Sequence, residues 1–361
     1  MEHLIPDAWF TGMSMPVLIL VGVAALYALS YTADMLVESA TDLALRMGLP
    51  KVIIGATILS LGTTAPETAV SVLGAVEGDG GLALGNAVGS IIFDTAVIFG
   101  ALGLLTRLPA DRFILARQGW VQFGSAVLLA AACYYFYFRN PGAAVLPGWF
   151  GWVLIALLVA YLVISVKWAQ QHKALEAATE THHPEEVSDE LDGHGSARSI
   201  GVILGIMLLA LVGMLVAGRF TVGTAIEAAR RFSIPEHVIS ATFVALGTSL
   251  PELVVGWKAV KRGAGEILVG NVIGADILNV LFVAGASAVG AAAAGNPLSI
   301  LAAEGRPTVF LEVHLPMMLI ALTYFRFCIW KASKQGSFDR WMGIPLLVLY
   351  VIGSLIPFFL K

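Results

Sequence analysis

The sequence predicts an all-α membrane protein with ten transmembrane helices arranged as two inverted five-helix repeats. Three observations lead to this fold class. The chain of 361 residues is 58% apolar and only 13% charged, about half the charged share of an average soluble protein. Its mean hydropathy is +0.85. In addition, one segment recurs in similar form 185 residues further along the chain. A soluble fold is excluded for most of the chain, and a net charge of -4 offers no basis for binding nucleic acid.

Ten apolar stretches follow one another along the sequence, and each contains few charged residues. Most approach the roughly 20 residues that a helix needs to cross a bilayer. The ninth is interrupted by Glu312, His314 and Pro316. The predicted spans are 16–31, 52–73, 82–105, 121–138, 146–166, 200–217, 238–257, 267–294, 311–324 and 341–360.

The distribution of Lys and Arg predicts the orientation of these spans. Short loops on the cytoplasmic side of a membrane carry an excess of both residues. With the N-terminus outside, 15 of the 21 Lys and Arg residues fall on cytoplasmic connections. We therefore expect a multi-pass protein of a prokaryotic-type plasma membrane, with both termini outside. A monomer is expected, although the sequence carries no signal for the oligomeric state.

The repeat is clearest between residues 50–94 and 235–279, which align without gaps and share 16 identical pairs among 45. An odd number of spans separates the copies, so each helix runs opposite to its counterpart. The charges of the two hairpin loops support this inversion. VEGDGG in the first copy is acidic, which suits an outside loop, and KAVKRG in the second is basic, which suits a cytoplasmic one. Inverted repeats with a site between them at the bilayer midplane are an architecture of secondary transporters.

The chain is therefore expected to have three parts. A first five-helix half occupies 1–166 and contains the repeat copy 50–105, and a second half occupies 200–361 and contains the copy 235–290. The linker 167–199 carries seven acidic residues and four histidines. It is interpreted as a solvated, partly disordered connection, because charged segments of low hydrophobicity do not fold alone. A metal-sensing role is the alternative.

Each copy places a glutamate after a proline, deep within an apolar helix, in LGTTAPE at 61–67 and LGTSLPE at 246–252. A charged side chain at mid-membrane costs roughly 2.5–3.5 kcal/mol. Pro66 and Pro251 also lack the N–H groups that would bond carbonyls of the preceding turn. A structural, protonated glutamate beside a proline kink is the alternative for one copy, but its repetition favours a cation site around Glu67 and Glu252.

The side chains around these glutamates offer oxygen atoms only. Carboxylates, hydroxyls and freed carbonyls suit Ca²⁺ or Na⁺ and suit zinc or copper poorly. The hydroxyls on the turn before each glutamate belong to Thr63, Thr64, Thr248 and Ser249.

The following helix of each pair carries GNAVGSIIFD at 85–94 and GNVIGADILN at 270–279. Glycines four residues apart allow helices to pack closely, which would bring Asp94 and Asn279 beside the glutamates. Ser90 lies one turn before Asp94 and can add a hydroxyl. Packing is the favoured role of Asn86 and Asn271. The glycine pairs are Gly85 with Gly89 and Gly270 with Gly274.

The paired GTTAPE and GTSLPE segments, each followed by GNxxG and then Asp or Asn, resemble the alpha repeats of the sodium/calcium exchanger family, within the calcium/cation antiporter superfamily. The resemblance implies ten spans and a central site shared by Ca²⁺ and Na⁺. It also implies that the long first and sixth helices, about 16–47 and 200–232, slide against the remainder. The implied ligands are Glu67 and Glu252 at the centre, Asp94 and Asn279 beside them, oxygens of Thr63, Thr64, Ser90, Thr248 and Ser249, and the carbonyl of Ala245.

This chain departs from the family pattern in the second helix of each pair. Members usually place Asn in the first copy, whereas here Asp94 and Asn279 are reversed. Ala275 replaces an expected Ser, and Asp276 replaces an expected Asn. If Asp276 faces the site, four carboxylates meet there and the stoichiometry changes. The favoured interpretation is that it faces a neighbouring helix.

The sequence therefore predicts a secondary active antiporter that exchanges Na⁺ for Ca²⁺ by alternating access, with these ions as substrates and no cofactor. Exchange of H⁺ for Ca²⁺, potassium-dependent exchange and Na⁺/Mg²⁺ exchange on the same fold are the alternatives, and a passive divalent-cation channel is a weaker one. An enzyme is not expected, because the sequence shows neither a His-x-x-x-His motif nor a Gly-x-Ser-x-Gly motif.

Overall fold

A computed structural model describes residues 8–180, 198–232, 245–301 and 309–356. The described residues are almost entirely helical, with two small two-stranded sheets. Among them, seven helices are long and apolar enough to cross a membrane, and three shorter apolar helices cover 51–63, 65–76 and 340–355. The all-helical membrane fold class is confirmed at this level. The count of ten spans stays a prediction, since much of the seventh expected span precedes residue 245.

The first half opens with α1 (Ala8–Thr11) and the long helix α2 (Met15–Met47). Gly48 ends α2 with a φ of 59°, and its N–H faces the carbonyls of Ala44 and Leu45. Glycine adopts this left-handed conformation without steric cost, so it is the usual residue at such a helix end. The elements that follow are α3 (Lys51–Ile54), a π-helical segment (Gly55–Leu59), α4 (Ser60–Thr63), α5 (Ala65–Val76), α6 (Gly80–Phe93), a second π-helical segment (Asp94–Phe99) and α7 (Gly100–Leu105).

Two further long helices complete this half. The Asp111 carboxylate caps the first of them by accepting the N–H of Ile114 at 2.6 Å. The second continues past residue 167, where the linker was expected to begin. The acidic stretch 181–197 lies outside the described residues. The elements are β1 (Leu108–Pro109), α8 (Arg112–Arg139), β2 (Val145–Leu146) and α9 (Gly148–Glu180).

The second half opens with another long helix, α10, which packs along α2. Near its end Arg231 forms an ion pair with Glu227 at 2.7 Å, as their i,i+4 spacing predicts. The elements are α10 (Ile200–Arg231), α11 (Ala245–Thr248), α12 (Leu250–Lys261), α13 (Gly265–Leu278), a π-helical segment (Asn279–Ala284), α14 (Gly285–Ala293), β3 (Leu298–Ser299), a further π-helical segment (Phe310–His314), α15 (Leu315–Gln335), β4 (Ser337–Phe338), a 3₁₀ turn (Arg340–Met342) and α16 (Gly343–Leu355).

Local structure repeats at the same offset as the sequence. The bounds of α12, α13 and the π-helical segment after α13 are those of α5, α6 and the π-helical segment after α6, each moved by 185 residues. The two hairpin turns match as well, since Gly78 has a φ of 90° and Gly263 has one of 69°. The short strands pair between the halves, β1 with β4 and β2 with β3.

Helix α13 lies at the centre of the structure, where all its residues from 267 to 278 are buried. Close packing explains both of its glycines. A Cβ on Gly270 would meet the carbonyl of Val52, and one on Gly274 would meet Ala56 and Ser60. The predicted close contact is thus confirmed for the second copy. For Gly85 and Gly89, the equivalent partner segment is 237–245, which falls almost wholly outside the described residues.

Candidate cation-binding site

A helix break places each of the two predicted glutamates. Thr64, with φ −78° and ψ 3°, separates α4 from α5, and Ser249, with φ −90° and ψ 9°, separates α11 from α12. Glu67 and Glu252 then fall in the first turn of the helix that follows. The N–H groups of a first turn have no partner within the helix and favour negative charge nearby. Both side chains are 1% exposed.

The two copies meet at Glu67. Its Oε1 accepts a hydrogen bond from the Ser249 hydroxyl of the second copy at 3.1 Å. The Ser249 and Ser90 hydroxyl oxygens are 3.3 Å apart. Residues far apart in sequence therefore share one buried polar cluster, as the repeat predicts.

Two threonines link the copies symmetrically through asparagines. The Thr63 hydroxyl donates to Asn271 Oδ1 at 3.3 Å, and the Thr248 hydroxyl donates to Asn86 Oδ1 at 3.3 Å. Asn86 also donates to the carbonyl of Glu67 at 3.3 Å. A hydroxyl whose hydrogen is used in this way keeps its oxygen lone pairs for a cation. Asn86 and Asn271, for which a packing role was favoured, thus hydrogen-bond to predicted ligands.

Asp94 and Asn279 each begin a π-helical segment and are 1% exposed. Such segments often occur at functional sites, because they turn side chains away from the regular helix face. Ala245 is the first residue of α11, which packs near α6. Six of the ten predicted ligands thus lie around the breaks between α4 and α5 and between α11 and α12. Three more, Ser90, Asp94 and Asn279, lie on α6 or at the start of a π-helical segment. Ala245 lies just before the second break.

Several buried oxygens of this cluster accept no hydrogen bond from any described residue. An unpaired buried oxygen is costly, and an unpaired carboxylate is more so. A cation bound between them would remove that cost. These atoms are Thr64 Oγ1, Glu67 Oε2, Asp94 Oδ1, Glu252 Oε2 and Asn279 Oδ1.

The donor set restricts the kind of cation. Among the described residues, no three His, Cys, Asp or Glu side chains are grouped closely enough to hold a metal by themselves. Hydroxyl and amide oxygens would therefore have to complete the coordination shell. An all-oxygen shell of this kind fits Ca²⁺ and Na⁺.

Comparison with known proteins agrees with this donor set. The sequence model described as "Sodium/calcium exchanger protein" matches residues 17–167 and 202–359. The chain belongs to the sodium/calcium exchanger family. The resemblance seen in the paired motifs is thereby confirmed. A family of exchangers favours a transporter over an enzyme.

Two relatives and one solved structure extend this finding over nearly the whole chain. Inner membrane protein YrbG of Escherichia coli is 31% identical over 91% of this chain and 93% of its own length. Sodium/calcium exchanger MaX1 of Methanosarcina acetivorans is 28% identical over 91% of this chain and 95% of that protein. The structure of the sodium-calcium exchanger NCX_Mj has the same fold, with a TM-score of 0.72 and 24% identity over 94% of this chain and 98% of that one.

The polar partners of Asp276 were not anticipated. Asp276 Oδ2 accepts hydrogen bonds from the Thr95 hydroxyl and from Gln122 Nε2, both at 2.6 Å. This favours the interpretation that Asp276 faces a neighbouring helix. Gln118 and Gln122 stand one turn apart in the apolar helix α8 and are both buried. Two glutamines at i,i+4 spacing in an apolar helix were the sequence signal that could have indicated this buried polar cluster.

Proposed function

We propose that this member of the family exchanges Na⁺ for Ca²⁺ across the membrane, by alternating access at one midplane site. The observation that carries the proposal is the set of five buried, unpartnered oxygens that come from both copies. Three of them belong to the carboxylates of Glu67, Asp94 and Glu252. Three negative charges can be neutralised by several Na⁺ or largely by one Ca²⁺, so the two ions would compete.

Charge also explains why the exchange would be coupled. None of the ion pairs formed by the described residues includes these three carboxylates. An empty site would therefore leave about three negative charges buried at mid-membrane, which is strongly unfavourable. The protein would change access only with ions bound, and movement of one ion would require return of the other.

The architecture that we propose for this activity is ten spans in two inverted halves, with both termini outside, in a monomer of a prokaryotic-type plasma membrane. The repeated helix bounds, the matching breaks before Glu67 and Glu252, and the cross-pairing of the short strands support it. The basic loop at 258–262 would then be cytoplasmic. We further propose that Ca²⁺ and Na⁺ are substrates and that no cofactor takes part.

The proposal is tested with purified protein in liposomes loaded with Na⁺. Dilution into Na⁺-free medium should drive uptake of ⁴⁵Ca²⁺ in the wild type. Glu67→Gln and Glu252→Gln should each abolish uptake, because each removes a buried charge that the ion would neutralise. Glu77→Gln, which changes an exposed glutamate of the hairpin loop, is the matched control and should transport normally.

Replacing the sodium gradient by a proton or potassium gradient tests whether H⁺ or K⁺ takes the place of Na⁺ in the exchange. Uptake driven by a pH gradient without Na⁺ would replace the proposal with H⁺/Ca²⁺ exchange. Uptake in both glutamine variants at the wild-type rate would show that the site lies elsewhere.

A further inference from the structure

A fourth buried carboxylate, that of Asp276, lies beside the central site without joining its hydrogen bonds. Asp276 is 1% exposed, and its side chain lies between α13, the π-helical segment after α6, and α8. Its partners are Thr95 and Gln122, whereas Glu67 is bonded to Ser249. Within the described part of the chain, no ion pair includes Asp276.

The two oxygens of the Asp276 carboxylate have different surroundings. Both donors, Thr95 and Gln122, point to Oδ2, and each is 2.6 Å away. The other oxygen, Oδ1, has no hydrogen-bond partner among the described residues. A proton on Oδ2 would compete with these two donors. An ionised carboxylate buried in a membrane requires a compensating cation.

We propose that Asp276 binds one sodium ion at Oδ1, in a site separate from the central one. A single carboxylate balances one positive charge, which favours a monovalent ion. Gln118 lies one helical turn before Gln122 on α8 and is fully buried, and neither of its amide atoms has a hydrogen-bond partner among the described residues. Its amide oxygen and the second lone pair of the Thr95 hydroxyl supply further oxygen ligands. The site does not depend on calcium exchange at the central carboxylates.

The experiment removes the central carboxylates and asks whether sodium still binds. The background is the triple variant Glu67→Gln, Asp94→Asn, Glu252→Gln. Its thermal unfolding is followed in detergent while NaCl replaces choline chloride at constant ionic strength and pH. We expect a saturable rise in unfolding temperature of about 2–4 °C with sodium. Adding Asp276→Asn should abolish that rise.

Two results would overturn the proposal. The triple variant could show no sodium-dependent rise, including the case in which its unfolding temperature follows pH alone and the occupant is a proton. Alternatively, the rise could persist after Asp276→Asn, which would place the sodium ion elsewhere. Calcium flux of the wild-type protein is a separate measurement, so failure of the exchange proposal and failure of this one are distinguishable.

If the triple variant with Asp276→Asn added does not fold, a milder variant tests the same site. Thr95→Val in the triple background keeps the carboxylate and removes one oxygen ligand. The half-saturating sodium concentration should rise roughly fivefold, and an unchanged value would contradict the site. Thr323→Val is the control, because Thr323 is exposed and its hydroxyl donates to the Leu319 carbonyl of its own helix.

Discussion

Asp94 and Asn279 occupy equivalent positions in the two copies but differ in charge. Each begins a π-helical segment, is 1% exposed and has a side-chain oxygen without a described partner. The backbone is thus the same at both positions, and only the placement of one negative charge distinguishes them. Whether the site depends on the number of charges or on their positions is therefore open to direct test.

Asp94→Asn should weaken Ca²⁺ binding by about 10- to 100-fold, because it removes one buried charge that a divalent ion would neutralise. The double variant Asp94→Asn, Asn279→Asp restores the charge on the opposite copy and should recover most of the affinity. The measurement is the half-saturating Ca²⁺ concentration for sodium-driven uptake. If the double variant is as weak as the single one, the position of the charge matters more than the total.

The central glutamates could be predicted from the sequence, because a carboxylate after a proline in an apolar helix is expensive and appears twice. The cluster of Asp276, Thr95 and Gln122 could not. Its hydrogen bonds join residues 154 and 181 positions apart, and a buried helix such as α13 has no polar face to indicate its neighbours. Pairing of this kind depends on how helices rotate against one another, which no local pattern records.

At the scale of helices, the close contact between α13 and the segment 51–60 sets the distance between the two copies. Gly270 and Gly274 allow this contact, since a Cβ at either position would overlap backbone atoms of Val52 or Ala56. Ser60 adds one polar contact to it, because its hydroxyl, which donates to the Gly55 carbonyl of its own segment at 2.6 Å, also lies 3.3 Å from the Asn271 carbonyl oxygen of α13. The π-helical segment 55–59 and the residues around it thus contact α13 through both apolar and polar atoms.

Gly274→Ala should destabilise the protein by about 1–3 kcal/mol, which is the usual cost of overpacking a close contact. Gly205→Ala in α10 is the matched control, because a Cβ there meets no atom within 4 Å. Thermal unfolding of both purified variants in detergent provides the measurement. Equal unfolding temperatures would show that α13 can move away from 51–60 without loss, against the packing described above.

The glycine spacing predicted this contact, whereas the break at Thr64 was only partly anticipated. The expected span 52–73 was continuous, but the structure divides it among α3, a π-helical segment, α4 and α5. Pro66 indicated a local disturbance, since proline removes one helix hydrogen bond. The wider π-helical turn upstream depends on packing with α13, which the local sequence does not show.

For the whole molecule, charged side chains connect α2 of the first half to α12 of the second. Lys258 Nζ donates to Asp34 at 2.6 Å, and Arg262 donates to Asp34 at 3.1 Å and to Glu38 at 3.2 Å. Both acids of α2 are thus paired with basic residues at the C-terminal end of α12. Partly exposed pairs contribute little to stability, roughly 0–1 kcal/mol each. Their weakness would suit a contact that opens and closes during the proposed transport cycle.

If α2 moves relative to α12 during transport, fixing this contact should stop transport. Cysteines introduced as Asp34→Cys and Lys258→Cys can be joined by a bifunctional maleimide of a length that spans the two positions. The native Cys133 and Cys328 are both buried, which limits labelling elsewhere. We expect the joined protein to lose sodium-driven ⁴⁵Ca²⁺ uptake, and a cleavable linker should restore it on cleavage.

The two single-cysteine variants treated with the same reagent control for loss of the charges and for the added maleimide, and both should retain most of the uptake. Full transport by the joined protein would mean that the contact between α2 and α12 persists through the cycle. In that case access would have to change around the broken helices alone. The long helices α2 and α10 would then form a static pair, and the mobile parts would be those that carry Glu67 and Glu252.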